Sequence, residues 1–341
     1  MRQQLVAWAV AAGVVLSCGG LAPASADPVA DFYKGKTITM IVPFAPGGIS
    51  AQFAQVVAER MGQYIPGKPD IVLEVMPGAA GVIAQNYAYN SVPRDGSVIL
   101  IPNDAIGLAQ YLDPEGVEYK TLEFRWIGVA AQSTNVLMVR KDSGVDSVDD
   151  LKTTEVHIGL SGPGSGTDMF PRLTNAVLGT KTNVIPGYPG GASEVLVAIE
   201  SGELDGSANG NTTWEARPDL VEILNPLIAY GSGRAPNFPD VPNLLEMVDN
   251  PADQQVIRFL SSANPLARSL TALPETPEDR VTALRRAFDR MMEDPDFIAD
   301  MKALKQTLQP MTGEEAQAMI VEALDVPDEV IERARQLIAV E

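Results

Sequence analysis

Short apolar runs alternate with helical patterns along the first part of the chain. Apolar runs at 38–42, 71–75 and 97–101 predict strands, and the first of these is predicted to be buried. Between the first two runs, apolar residues recur at spacings of three and four and predict an amphipathic helix, with a stripe formed by Phe53, Val56, Val57, Met61 and Tyr64. Strands that alternate with helices predict βαβ units and a largely parallel sheet. Sheets of this kind bind ligands beyond the carboxyl ends of their strands.

A loop with two prolines and two glycines, residues 43–50, joins the first strand to this helix. Proline fixes φ, and glycine lets the backbone approach a ligand closely. Ser50 is predicted to cap the helix. A glycine turn before a helix presents free N–H groups and the positive end of the helix dipole, which suit an anion. A plain strand-to-helix turn is the alternative interpretation.

The same order of elements recurs in the middle of the chain. Loops rich in glycine at 161–168 and 186–191 each follow a strand-like run and precede a predicted helix, over 169–178 and over 192–201. Two α/β units facing one another would enclose a cleft lined by backbone N–H groups, hydroxyls and helix N-termini. Such a cleft suits a small carboxylate, whose oxygens can accept these hydrogen bonds without a paired cation.

The C-terminal part is rich in predicted helices. One opens at Pro277 and carries an apolar stripe that is predicted to face the core, and others are predicted over 297–304, 313–324 and 328–338. We predict a first domain from residues 27–131 plus 250–341, to which the C-terminal helices return, and a second domain from residues 132–249.

The formal net charge of −19 narrows the classes of partner. Nucleic acids and anionic membrane surfaces both require a basic face, so neither is predicted as a partner. A small anionic ligand remains compatible, because a local group of N–H donors can act within an acidic shell.

Residues 1–26 have the features of a signal peptide. Arg2 provides the charged region, residues 5–16 form an apolar run too short to span a bilayer, and residues 24–26 form a small-x-small cleavage site. The alternative is a lipoprotein signal in which Cys18 is lipidated. Both interpretations place the protein outside the cytoplasm, and cleavage after residue 26 leaves no cysteine for a disulfide or a thiolate site.

Few residues with catalytic chemistry are available. His157 is the only histidine, and its place in an apolar run predicts a buried structural role. A Ser/His hydrolase is therefore not supported, and the sequence has neither a phosphate-binding P-loop nor a cluster of histidine and cysteine for a metal. We predict a binding protein for a small anionic solute, with no enzyme activity, cofactor or metal. A secreted enzyme that uses cleft carboxylates is the alternative.

An ordered set of motifs resembles the Bug (TctC-like) receptors, the periplasmic solute-binding components of tripartite tricarboxylate transporters. The resemblance is carried by Val-Pro-Phe-Ala-Pro-Gly-Gly at 42–48, Pro-Gly-Ala-Ala-Gly at 77–81, Asp95-Gly96, the loops at 161–167 and 187–191, the helix after Pro277, and Asp294-Pro295. It implies an α/β fold of the two-domain type II periplasmic-binding-protein class, with a hinged ligand cleft. It also implies a periplasmic monomer that delivers a small carboxylate, such as a di- or tricarboxylate or an aromatic acid, to an inner-membrane permease.

The resemblance also implies the ligand-binding residues. Those of the first domain would hold one carboxylate, and they are Phe44, Ala45, Pro46, Gly47, Gly48, Ile49, Ser50, Pro77, Gly78, Ala79 and Ala80. Those of the second domain would hold the distal end of the ligand, and they are Ser161, Gly164, Ser165, Gly166, Thr167, Tyr188, Gly190 and Asp205. For Asp205, a residue of a Glu-Leu-Asp-Gly turn is the alternative interpretation.

The chain departs from the family pattern at two positions. Ala51 stands where the family usually has aspartate, and Ala80 stands where glycine is frequent. Without an aspartate to accept a hydrogen bond from an amino group, we expect a ligand with no cationic amine at that end. A ligand-binding component of a sensing system, instead of a transporter, is an alternative role.

Overall fold

Residues 27–339 are described by a computed structural model of the protein. The predicted signal peptide and Cys18 lie outside the described residues. Within them the fold is mixed α/β with two sheets, which confirms the predicted fold class. Over the same residues, no helix combines the length and the apolar character needed to cross a membrane.

The first sheet has six strands in the order β11-β4-β10-β3-β1-β2. Its strands are β1 (Thr37–Val42), β2 (Asp70–Val75), β3 (Val98–Leu100), β4 (Arg125–Ala131), β10 (Arg268–Ala272) and β11 (Met311–Thr312). Strand β1 pairs in parallel with β2 and β3, whereas β10 pairs antiparallel with β3 and β4. The predicted parallel βαβ units are thus confirmed for the strands that precede the glycine-rich loops.

The second sheet has five strands in the order β7-β6-β8-β5-β9. Its strands are β5 (Asn135–Arg140), β6 (Val156–Gly159), β7 (Thr182–Ile185), β8 (Gly206–Ser207) and β9 (Leu224–Tyr230). Strand β6 pairs in parallel with β7 and β8, and β5 pairs antiparallel with β8 and β9. Only residues 132–134 separate β4 of the first sheet from β5 of the second.

Helices flank both sheets, and several match their predicted bounds. In chain order they are α1 (Pro28–Tyr33), α2 (Ile49–Met61), α3 (Val82–Asn90), α4 (Ile106–Leu112), α5 (Gly166–Leu178), α6 (Ala192–Ser201), α7 (Asn211–Ala216), α8 (Pro218–Val221), α9 (Leu244–Met247), α10 (Pro251–Ser261), α11 (Glu278–Met292), α12 (Pro295–Ala303), α13 (Gly313–Leu324) and α14 (Asp328–Ile338). Gly179 and Gly202 end α5 and α6 in the left-handed conformation, which glycine adopts without steric cost.

The inner strands of the first sheet are buried on both faces, which explains why they read as continuous apolar runs, whereas the edge strand β2 is partly exposed. On one face, Met40 of β1 packs in a cluster with residues of α2, α11 and α12. On the other face, Ile41 belongs to a cluster with residues of α3, α4 and α13. This second cluster continues into the second sheet, where Phe170 and Tyr230 stack with ring centroids 4.6 Å apart.

The C-terminal helix α14 contacts both sheet units. It packs on α4, on α10, and on α5, which belongs to the second sheet unit. An ion pair joins two of these helices, since Arg333 Nε donates a 2.6 Å hydrogen bond to Oδ1 of the buried Asp253. Strands β1–β4, β10 and β11 form one sheet and β5–β9 the other, and α14 contacts both units, so the division into two domains stays a prediction.

Arg333→Ala is expected to lower the free energy of unfolding by about 1–3 kcal/mol, because the Asp253 carboxylate would stay buried without its partner. Urea denaturation would measure the change. Arg286→Ala is the matched control, since Arg286 is exposed on α11 and forms no ion pair with any residue between 27 and 339. An equal loss of stability in both variants would contradict a specific role for the α10–α14 ion pair.

Candidate ligand-binding cleft

Two predicted loops, residues 43–50 and 76–81, follow the carboxyl ends of β1 and β2. Together with a third loop, residues 101–105, they form one side of the cleft, which we call the first wall. In the loop at 43–50, Gly47 has φ +86°, and helix α2 begins at Ile49 with Gly48 as its N-cap. The prediction that Ser50 caps this helix is therefore wrong. Gly48 is extended and its carbonyl accepts the 3.0 Å hydrogen bond from the Gln52 amide, so Ser50 already lies inside the first turn.

In the loop at 76–81, backbone conformations are unusual. Gly78, Ala79, Ala80 and Gly81 all have positive φ, at +133°, +44°, +49° and +93°. A β-carbon added at Gly81 would lie 3.3 Å from Pro43 Cβ, so this loop contacts the loop after β1. The two alanines hold a conformation that L-residues disfavour, which explains why glycine suits position 80.

A third loop of the first wall, residues 101–105, was missed by sequence reasoning. It follows β3, whose carboxyl end lies beside that of β1. A β-carbon at Gly81 would lie 3.0 Å from Asn103 Cβ, so the three loops meet. Asn103 and Asp104 each accept a hydrogen bond from the Ala105 amide, at 2.8 and 2.9 Å. The rule that ligands bind at strand carboxyl ends could have found this loop, although it contains no glycine.

The opposite, second wall consists of the loops at 161–167 and 186–193. In the first of them, three hydroxyls form a cluster: Thr167 Oγ1 lies 2.9 Å from Ser161 Oγ and 2.7 Å from Ser165 Oγ. Thr167 Oγ1 also accepts a 2.8 Å hydrogen bond from the Ser161 amide. Helix α5 starts at Gly166, so Thr167 lies in its first turn and the cluster lies at the positive end of the helix dipole.

The other loop of the second wall leads into α6. Gly190 donates its amide hydrogen to Glu194 Oε2 at 2.7 Å, so a carboxylate of the protein itself already accepts one loop N–H group. The Tyr188 hydroxyl donates to Glu203 Oε1 at 2.8 Å. Burial, together with this hydrogen bond, raises the pKa of Tyr188 to about 12. The phenol is therefore neutral at physiological pH and engaged with Glu203.

The two walls face each other at short range. A β-carbon at Gly48 would lie 3.4 Å from Ser193 Oγ, and one at Gly162 would lie 3.8 Å from Ala80 Cβ. Beside this contact is a pocket of about 430 Å³, lined by Gly47, Ile49, Gln52, Ser193, Leu196, Val197, Ala216, Arg217, Ala303, Leu304 and Lys305. Loops predicted separately from the sequence are thus brought together between the sheets.

Asp205 and His157 lie apart from these loops. Asp205 precedes β8, and its carboxylate accepts a 2.6 Å hydrogen bond from the His157 amide and lies 3.3 Å from the His157 ring. His157 is near the amino end of β6, whereas the hydroxyl cluster follows its carboxyl end. The prediction that His157 is buried is wrong: half of its side chain is exposed, because it points away from the face on which its neighbours Val156 and Ile158 are buried.

The three helices that open onto the cleft have no side-chain cap at their N-termini. No side chain within residues 27–339 caps α2, α5 or α6. Elsewhere, α10, α12 and α13 are capped by Asn250, Asp294 and Thr312, whereas α11 and α14 also lack a side-chain cap. The first amides of a helix have no intrahelical acceptor, so the cleft offers free N–H groups together with about half a positive charge per helix. This arrangement can bind an anion.

A metal site finds less support than an anion site in the part of the chain that the structure describes. No three histidine, cysteine, aspartate or glutamate residues there are grouped so that they could hold a metal ion. The glycine-rich loops of the cleft walls present amides and hydroxyls, which are donors for binding.

Known proteins resemble this chain in sequence and in fold. The family model "TctC: Tripartite tricarboxylate transporter family receptor" matches residues 49–336. Protein BugT of Bordetella pertussis is 29% identical over 249 residues, which cover 69% of this chain and 72% of BugT.

Two solved structures share the fold. One is Rpa4515 of R. palustris with adipate, which has a TM-score of 0.69 and 20% identity and covers 89% of this chain and 97% of its own. The other is MatC of Rhodopseudomonas palustris with bound malate, with a TM-score of 0.65, 21% identity, and coverage of 89% and 99%.

The left-handed alanines of the first wall provide a test of its conformation. Ala80→Gly is expected to raise the free energy of unfolding by about 1 kcal/mol, because glycine adopts positive φ without a β-carbon clash. The matched control is Ala318→Gly on the exposed face of α13, which is expected to lower it by about 1 kcal/mol. Urea denaturation would measure both, and a loss of stability in Ala80→Gly would contradict the left-handed conformation.

Proposed function

This chain belongs to the tripartite tricarboxylate transporter receptor family, and on that premise we propose that it is an extracytoplasmic solute-binding protein for a small carboxylate. We further propose that it delivers the solute to the inner-membrane permease of such a transporter without changing it chemically. The family description supports the transport role over the sensing and enzyme alternatives. In this proposal residues 1–26 direct export.

The observation that carries the proposal is the meeting of uncapped helix N-termini across the cleft. Helix α2 opens from the first wall, and α5 and α6 open from the second. A carboxylate between them would accept hydrogen bonds from first-turn amides and from the hydroxyl cluster. Such charge-assisted hydrogen bonds are roughly twice as strong as neutral ones, and they strengthen further where protein replaces water.

We propose the predicted loop residues as the ligand contacts, with Asp205 left out because it lies with His157. On the first wall they are Phe44, Ala45, Pro46, Gly47, Gly48, Ile49, Ser50, Pro77, Gly78, Ala79 and Ala80. On the second wall they are Ser161, Gly164, Ser165, Gly166, Thr167 and Gly190. Tyr188 would shape the loop through its bond to Glu203. The ligand would compete with Glu194 for the Gly190 amide.

Dicarboxylates are the ligand class that we favour. The structurally similar proteins were solved with adipate and with malate, which each carry two carboxylates. Ala51 lies in the first turn of α2 and offers no acceptor for an amino group, which favours an acid without an amine. Two opposed walls of donors also suit a ligand that is anionic at both ends.

The mature chain from Asp27 is expected to bind one or more small carboxylates, measured by thermal shift and by isothermal titration calorimetry. Ligand at a hundredfold excess over Kd would stabilise the folded state by about 2.7 kcal/mol. The panel would include succinate, malate, adipate, citrate, nicotinate, terephthalate and glutamate. Mass spectrometry of the denatured protein would first show whether a ligand was purified with it.

Ser165→Ala is expected to weaken binding by roughly tenfold or more, because it removes a hydroxyl from a charged ligand's shell. Ser201→Ala, at the far end of α6, is the control and should leave the affinity unchanged. Failure of every carboxylate to bind to ligand-free protein would overturn the proposal, and consumption of a bound carboxylate would favour an enzyme.

A further inference from the structure

A buried arginine lies at the edge of the first sheet that carries the cleft loops. Arg268 is the first residue of β10 and pairs with Ala131, the last residue of β4. Thr271 pairs antiparallel with Leu100, the last residue of β3. Counting back along this pair brings Arg268 level with Asn103, in the third loop of the first wall. The arginine thus shares an edge with the carboxyl ends of β1, β2 and β3.

The guanidinium of Arg268 is poorly satisfied where it lies. The residue is 7% exposed, and one of its terminal nitrogens donates a 2.9 Å hydrogen bond to the Ala267 carbonyl. Its Nε has no hydrogen-bond partner among the described residues, and no carboxylate among them forms an ion pair with it. A buried charge is costly unless it is paired and hydrogen-bonded, so this position favours an anionic partner.

Asp104 is the acidic residue whose field acts on Arg268. Burial lowers the pKa of Arg268 to about 10, and Asp104 opposes that change. Burial likewise raises the pKa of Asp104, and Arg268 opposes it. One carboxylate oxygen of Asp104 already accepts a hydrogen bond from the Ala105 amide. The two charged groups are therefore neighbours across the third loop but are not in ion-pair contact.

A second unsatisfied polar side chain borders the loops of the first wall. Gln85 of α3 is 1% exposed, and neither its Nε2 nor its Oε1 has a partner among the residues described. Its Nε2 lies 3.4 Å from the β-carbon position at Gly81, which also borders Asn103 and Pro43. Gln85 thus lies at the point where the three loops of the first wall meet, and Arg268 lies level with Asn103 of that point on the strand beside β3.

We propose that Arg268 and Gln85 form an anion subsite at the floor of the cleft, which binds one carboxylate of a dicarboxylate ligand. This inference rests on the proposed function and adds the basis of ligand selection. The Arg268 guanidinium supplies the charge and the forked donors that match a carboxylate. The Gln85 amide supplies a further donor, while the uncapped helix N-termini hold the other carboxylate. An acid with a single carboxylate leaves one of these positions without a partner.

Matched pairs of acids test the proposal by calorimetry on the ligand-free mature protein. Adipate and hexanoate share a six-carbon chain, succinate and butyrate share a four-carbon chain, and each pair differs by one carboxylate. The wild type is expected to prefer the dicarboxylate of at least one pair. Arg268→Gln is expected to weaken the binding of that dicarboxylate by at least about 30-fold, which is the lower end of the effect of losing one partner of a buried charge pair. The same substitution should weaken the binding of the monocarboxylate by no more than about threefold.

Two further variants separate ligand binding from a structural role. Arg268→Lys keeps the charge and should retain part of the preference for the dicarboxylate. Arg285→Gln removes another largely buried arginine of the same sheet unit, which is paired with Glu314, and should leave the preference unchanged. The melting temperature of ligand-free Arg268→Gln is measured beside these affinities, so that a loss of folded protein is distinguished from the loss of a ligand contact.

Each outcome bears on one of the two proposals. Equally weakened binding of both acids in Arg268→Gln, or no weakening of either, would overturn the anion subsite and leave the carboxylate receptor standing. Binding of monocarboxylates alone by the wild type would also overturn the anion subsite and leave the carboxylate receptor standing. A wild type that binds none of the acids would overturn the receptor proposal together with the subsite.

Discussion

Backbone N–H groups at the start of a helix need hydrogen-bond acceptors, and the binding cleft of this protein depends on that need. Every helix begins with amides that the helix cannot satisfy, and most proteins cover them with a capping side chain or with water. Here α10, α12 and α13 are capped by their own residues, and α11 and α14 lack a side-chain cap. Helices α2, α5 and α6 also lack one, and all three open toward one cleft. The parallel strands place those openings at the same edge of each sheet, so a local chemical need becomes a binding property of the whole molecule.

Much of the fold was predictable because it rests on local patterns. The bounds of α6, α13 and α14 follow from apolar spacing and from stop signals such as Gly202. The glycine-rich loops were found because each lies between a strand and a helix. The Ser50 cap was wrong because helix α2 begins directly after Gly48. His157 was misjudged because it is the one exposed position of β6, on the face opposite to Val156 and Ile158.

The rest of the candidate site depends on distant parts of the chain. The loop of Asn103 and Asp104 contains no glycine that would mark it in the sequence, and only the pairing of β3 with β1 brings these residues to the cleft. Arg268 is a single charge beside an apolar strand, and nothing in its neighbourhood along the chain predicts that β10 inserts between β3 and β4. Antiparallel insertion over such a sequence separation is set by the packing of the complete core.

Helix α14 gives the molecule a particular order of assembly. Its residues 328–338 pack on α5, about 150 residues earlier in the chain. The core between the two sheets therefore lacks one of its covering helices until α14 has been made. Contacts of such long range slow folding, because the chain must close a large loop before they stabilise it.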